Sequence, residues 1–229
     1  MRRLVVLLVL PAAMPSAALA AYPRSFGAVE HNPADQLAKL PIERFTYDHA
    51  TRCVKRASRG ALALQSWLDG HVRGVSWGIM RCEIWSRRPG RRSASLHAEG
   101  RAVDWHLSVH SAADRRAAKK LIGLLLAPDD LGRPAALARR MGVQEIIWDC
   151  RSWFGGGWGS PSLERYSPCF DRRGRRVRID DTTAHRDHVH LGLTRRGARK
   201  LTSFWTREAP PARYAEDAPE PEPELAAQP

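Results

Sequence analysis

Acidic residues are in short supply: 24 Asp and Glu stand against 37 Lys and Arg, for a formal charge of +13 over 229 residues. A chain with that balance is drawn to polyanions such as nucleic acid, anionic lipid surfaces or acidic wall polymers, and the charge alone selects none of them. Long apolar runs are scarce too. The only pronounced one, residues 4–10, is too short to span a bilayer, and Pro11 and Pro15 follow it. Cysteine is sparse, with four residues and no C-x-x-C spacing, which argues against a four-cysteine zinc site. No internal repeat is visible, so a solenoid is excluded.

What the termini contain is informative. Arg2 and Arg3 precede the apolar run, and Ala18-Leu19-Ala20 supplies an A-x-A cleavage signal. This reads as a secretory signal peptide over residues 1–20, giving an exported chain with no membrane span after cleavage. Residues 21–45 read as a loose leader. After residue 208, Pro, Glu and Ala dominate, a composition that cannot bury a core and predicts a disordered acidic tail over 208–229. Export makes two disulfides the expectation for Cys53, Cys82, Cys150 and Cys169. Of the three connectivities, Cys53–Cys82 and Cys150–Cys169 are favoured, because each pair brackets one structural unit.

Between the termini, residues 46–207 read as one α+β domain: a small, mainly antiparallel sheet with flanking helices. Apolar residues Val54, Ala57, Ala61, Leu64 and Leu68 recur at helical spacing and predict a helix over 51–68, stopped by Gly70. Strands are predicted over 75–85, 102–107, 143–148 and 189–193. Further helices are predicted over 112–126, over 134–141 with Gly142 closing it, and over 195–204. The Gly- and aromatic-rich segment 151–168 reads as a loop, either packed on itself or lining a substrate site.

Two short stretches carry the chemistry. Residues 95–104 read Ser-Leu-His-Ala-Glu-Gly-Arg-Ala-Val-Asp, and residues 187–190 read Asp-His-Val-His. A turn at Gly100 would let His97 and Asp104 aim at one point. On a strand, Ala102, Asp104 and His106 share a face, and His188 and His190, two apart, share another. Zinc accepts imidazole nitrogen and carboxylate oxygen, and a catalytic site keeps its fourth position open. Either or both of His188 and His190 could complete such a site, with Asp187 beside it to accept a proton. The competing reading is a solvated histidine cluster of His185, His188 and His190. Glu99 reads as a solvated loop acid, His106 as a packed or supporting histidine, and Ser95 as a residue that orients the loop or hydrogen-bonds substrate.

The pattern Ser-x-His-x-x-Gly-x-Ala-x-Asp, followed by acid-x-x-His, resembles the zinc D-alanyl-D-alanine carboxypeptidases and related peptidoglycan endopeptidases, whose fold is shared with the Hedgehog signalling domain. The likeness covers residues 74–204 and is specific at the two motifs. The contexts Glu145-Ile146-Ile147-Trp148 and Asp187 to Leu193 also look like a branch of secreted actinobacterial proteins. The resemblance implies one zinc per chain on His97, Asp104 and His190, with Asp187 as the catalytic acid. It implies a substrate-holding arginine on the strand before the first motif, for which Arg81 is the best match and Arg87 and Arg88 are rivals. His188 stands where carboxypeptidase members often carry Pro. Histidine there resembles the H-x-H of endopeptidases, in which the first histidine assists catalysis.

The expectation is therefore a secreted or wall-associated zinc metallopeptidase cutting peptidoglycan stems or cross-bridges, with Asp187, His188 and Arg81 catalytic and Arg81 and Ser95 binding substrate. Peptidoglycan or its peptides are the expected partner, helped by attraction to anionic wall polymers, with no specific nucleic-acid partner. Two alternatives stand beside it: a weak or inactive wall-binding module on the same zinc scaffold, and a metal-dependent nuclease.

Overall fold

The computed structural model describes residues 41–86, 93–156 and 162–216. Its centre is a six-stranded antiparallel sheet with flanking helices, the α+β class expected. The order across the sheet is β2 (Val75–Gly78), β5 (Ala102–His106), β9 (His188–Leu193), β6 (Val143–Trp148), β7 (Arg151–Phe154), β8 (Glu164–Arg165). Two small pairs flank it: β1 (Ile42–Glu43) with β10 (Ala215–Glu216), and β3 (Ile84–Ser86) with β4 (Ser93–Ala94).

The two-residue period of β5 and β9 divides the molecule. Val103 and Trp105 of β5 and Val189, Leu191 and Leu193 of β9 are buried on one face. There they meet α1 (Arg59–His71), α2 (Ala112–Leu126) and α3 (Ala136–Met141) through Leu64, Leu68, Leu121, Leu125 and Met141. The Trp105 indole N–H donates to the Arg73 carbonyl at 2.9 Å, so its polar atom is satisfied inside the core. The opposite face carries Asp104 and His106 directly across from His190 and His188. Core packing thus fixes the strand register that holds these four polar residues together.

Several boundaries differ from the sequence reading. The first helix starts at Arg59, not at residue 51, and runs through Gly70 to His71. Ser58 caps it by accepting from Ala61 N, while residues 53–58 are held outside the helix by the Cys53–Cys82 disulfide and by Val54 and Ser58 N–H bonds to Ala98 and Gly100. The strand expected over 75–85 divides at Gly78, whose φ of 127° breaks the ladder. The segment read as a loop over 151–168 contains β7 and β8. Asp149 and Cys150, both at positive φ, form a two-residue hairpin turn that pairs Trp148 with Arg151 and buries Trp153. The final helix is two short ones, α4 (Arg195–Ala198) and α5 (Ser203–Thr206), separated at Lys200 with its positive φ.

The folded body also reaches beyond 46–207, because β1 and β10 pair with each other and Ile42 is fully buried. The expected signal peptide, most of the leader, Arg87 and Arg88, and residues 217–229 of the tail lie outside the described residues. Both favoured disulfides are present, Cys53–Cys82 and Cys150–Cys169, in keeping with an oxidising environment. Among the described residues, no helix is long and apolar enough to cross a membrane.

Candidate metal centre

His97 sits in a 3-10 turn (Leu96–Glu99) whose start is capped by Ser95 Oγ, accepting from His97 N, and whose end is Gly100 in the left-handed region at φ 62°. A Cβ at Gly100 would lie 2.3 Å from the Arg56 carbonyl oxygen, so the turn requires glycine. That turn reverses the chain into β5 and brings His97 against Asp104. Gly192 lets the Leu96 side chain pack against β9, since a Cβ there would lie 2.3 Å from Leu96 Cδ1.

Three donor atoms converge. His97 Nε2 is 2.9 Å from Asp104 Oδ1 and 3.1 Å from His190 Nδ1, and His190 Nδ1 is 3.0 Å from Asp104 Oδ1. All three residues are buried, and together they could hold a metal ion. The chemistry of the set fits one. The centre of this near-equilateral triangle is about 1.7 Å from each atom, less than a zinc–nitrogen bond of about 2.0–2.1 Å, so an ion can lie on its axis at bonding distance from all three. His97 Nδ1 donates to the Ile79 carbonyl at 2.9 Å, which turns Nε2 to the cluster as the atom that would bind an ion.

Without an ion, the cluster is held by charge. Burial would raise the Asp104 carboxyl, but hydrogen bonds from His190 and His97 outweigh it and hold the group far below the usual carboxylate range. Burial acts against a charged His190 as well, yet Asp104 and Glu145 together raise its pKa.

His188 lies on the same strand face with Nε2 3.6 Å from Asp104 Oδ1, and its Nδ1 donates to Asp187 Oδ1 at 2.7 Å. The other Asp187 oxygen accepts from Thr182 Oγ1 at 2.6 Å. Asp187 therefore stands behind His188, and it is His188 that faces the cluster. Burial is the main reason the His188 pKa falls, despite two nearby carboxylates. Arg81 is in the loop after β2, not on a strand, with NH1 3.6 Å from Asp104 Oδ2 and Nε 3.3 Å from Glu83. It is half exposed at the mouth of the site. Ser95 is buried as a cap two residues from His97.

Other residues had gone unassigned or were read differently. Glu145 of β6 approaches His190 Nε2 to 3.9 Å, and Tyr47 donates to its other oxygen at 2.6 Å. The available signal is an acid, beside Gln144, in an inner strand that is fully buried. His185, at φ 52°, packs its ring 4.6 Å from His188 and 5.2 Å from Tyr166. Burial first, then the neighbouring histidines, lowers its pKa to about 3. His106 Nδ1 donates to the Asp187 carbonyl at 2.8 Å and its ring stacks on Trp77 at 4.4 Å, so it supports the entry to β9. Glu99 is not solvated. It pairs with buried Arg101 at 2.9 Å and accepts from Thr51 N, which ties the 3-10 turn to the chain entering the domain.

Residues 71–168 match the family model described as VldE, C-terminal domain. That span is under half the chain. It contains His97, Asp104 and Glu145 and ends before Asp187, His188 and His190. No curated protein and no solved structure matches the chain.

Proposed function

We propose that the chain is a secreted zinc-dependent peptidase acting on the peptide stems or cross-bridges of peptidoglycan. The observation that carries this reading is the convergence of His97 Nε2, Asp104 Oδ1 and His190 Nδ1 within 3.1 Å of one another, with the His188–Asp187 pair alongside. Two histidines and a carboxylate leave an open position in a tetrahedral site, as hydrolytic zinc requires. Bound there, zinc would activate a water and polarise the scissile carbonyl.

The remaining steps belong to the protein. Asp187 holds His188 in the tautomer with Nδ1–H, so the free Nε2 can take the proton of the attacking water and return it to the leaving amine. The proton-transfer role expected of Asp187 alone thus passes to the pair, with Asp187 positioning and His188 transferring. Arg81, half exposed and next to Asp104, is placed to bind a substrate carboxylate or the developing oxyanion. The excess of positive charge suits work in an anionic wall.

The test uses zinc-loaded full chain and soluble peptidoglycan peptides, with mass spectrometry reading new amine and carboxyl ends. Cleavage by the wild type, lost in His188→Ala while bound zinc is retained, is the expected result. Retained zinc with no cleavage of any wall peptide by the wild type would overturn the peptidase reading and leave a wall-binding module.

A further inference from the structure

A second cavity lies away from the metal centre, where Arg44 to Thr46 after β1, the Gly142 corner between α3 and β6, and the turn from β9 into α4 come together. Its volume is about 400 Å³, within the range of small-ligand pockets. None of His97, Asp104 and His190 lines it. Thr194, which does, is four residues along the chain from His190, or about 13 Å at strand rise.

The walls are strongly cationic. Arg44, Arg139, Arg195, Arg196, Arg199 and Arg213 line the cavity, against only Glu43 and Asp48. Both acids are occupied: Glu43 accepts from the Ser203 backbone N–H and hydroxyl, and Asp48 from Arg195 N at 2.7 Å. Some arginines are spent on the wall as well. Arg139 donates to the Glu43 carbonyl at 2.7 Å and lies 4.3 Å from the Phe45 ring.

Others keep donors to spare. Arg196 sits 4.2 Å over Tyr214 and donates through one Nη to the Leu201 carbonyl, while its buried Nε has no hydrogen-bond partner among the described residues. Arg199 makes no ion pair among the described residues. Thr202 is 1% exposed, lines the cavity, and its hydroxyl has no partner among the described residues. Buried donors without acceptors and clustered like charges both cost stability, and both are relieved by one incoming oxyanion. Guanidinium forks and a hydroxyl match the several oxygens of a phosphate group. Phe45, Trp153 and Tyr214 supply apolar wall for an organic remainder.

We propose that this cavity is a binding site for a small phosphorylated organic ligand, with Arg196, Arg199 and Thr202 receiving the phosphate. It does not depend on the peptidase reading.

The experiment is calorimetric titration of the full chain with phenyl phosphate, and separately with inorganic phosphate. Phenyl phosphate is expected to bind once per chain and more tightly than phosphate alone. Arg199→Gln, at an exposed residue, and Thr202→Val, which keeps shape and removes only the hydroxyl, should each weaken binding about tenfold. Arg175→Gln, at an exposed arginine paired with Asp171, should leave it unchanged. Binding should persist in EDTA and in His190→Ala, which separates the cavity from the metal centre. Absence of saturable binding, wild-type affinity in either Arg199→Gln or Thr202→Val, or loss in EDTA would each overturn the proposal.

Discussion

Metal-linked stability tests the centre directly. The three donors already converge in a buried site, so an ion that binds the folded chain and not the unfolded one stabilises it by mass action. At a free zinc concentration about a thousand times Kd, the gain is about 4 kcal/mol. For a domain of this size each kcal/mol raises Tm by about 2–4 °C, so the expected shift is about 8–16 °C. The assay is scanning calorimetry in metal-free buffer, with and without zinc. His190→Ala removes one donor and leaves the buried Asp104 carboxylate short of a partner, so it should melt lower without zinc and lose most of the response. His110→Gln, at an exposed histidine paired with Asp181, controls for casual zinc binding and should respond like the wild type. A wild type whose Tm ignores zinc, or a His190→Ala variant that gains as much as the wild type, would refute the assignment of the three donors.

Three further outcomes follow from the fold. Replacing Cys150 and Cys169 with serine opens a cross-link between residues 19 apart in sequence, and the chain-entropy model predicts a loss of about 3 kcal/mol in denaturant unfolding. Gly100→Ala forces a Cβ toward the Arg56 carbonyl and strains a left-handed residue, so it should cost more than about 1 kcal/mol and weaken zinc binding by displacing His97. Burial raises the Glu43 pKa, with hydrogen bonds from Ser203 opposing it, so the native state holds that proton more tightly than the unfolded chain does. Glu43 then contributes stability that is fully present below its unfolded pKa and lost as pH rises through its folded one. Urea titrations from pH 4 to 8 should show this falling component in the wild type and not in Glu43→Gln; identical pH profiles would contradict it.

Much of the centre was legible because its residues lie in two short stretches with readable local geometry. His97, Gly100 and Asp104 carry their own turn, and the alternation in β5 and β9 puts Asp104, His188 and His190 on polar faces opposite an apolar core. Helical spacing likewise identified Ala112–Leu126, and a short apolar run broken only by Gln144 and Glu145 identified Val143–Trp148. The disulfide pairs followed from spacing and compartment.

What failed to show depended on contacts distant in sequence. The start of the first helix was hidden because tertiary hydrogen bonds to Ala98 and Gly100 hold residues 53–58 out of the helix despite their helical spacing. The hairpin at Asp149 and Cys150 lacks the glycine that marks such turns. Glu145 meets Tyr47, 98 residues away, because the segment after β1 is bonded along β6, and it meets His190 because β6 lies beside β9.

The sequence by itself determined the class of fold and the two short stretches that supply the candidate ligands, since these follow from residue type, period and spacing, and it favoured the cysteine pairing that the structure shows. Only the tertiary structure decided that Asp187 stands behind His188, that Glu145 backs His190, and that arginines from scattered positions between 44 and 213 line one cavity. Those outcomes depend on strand order and register, which long-range burial sets and no local pattern encodes.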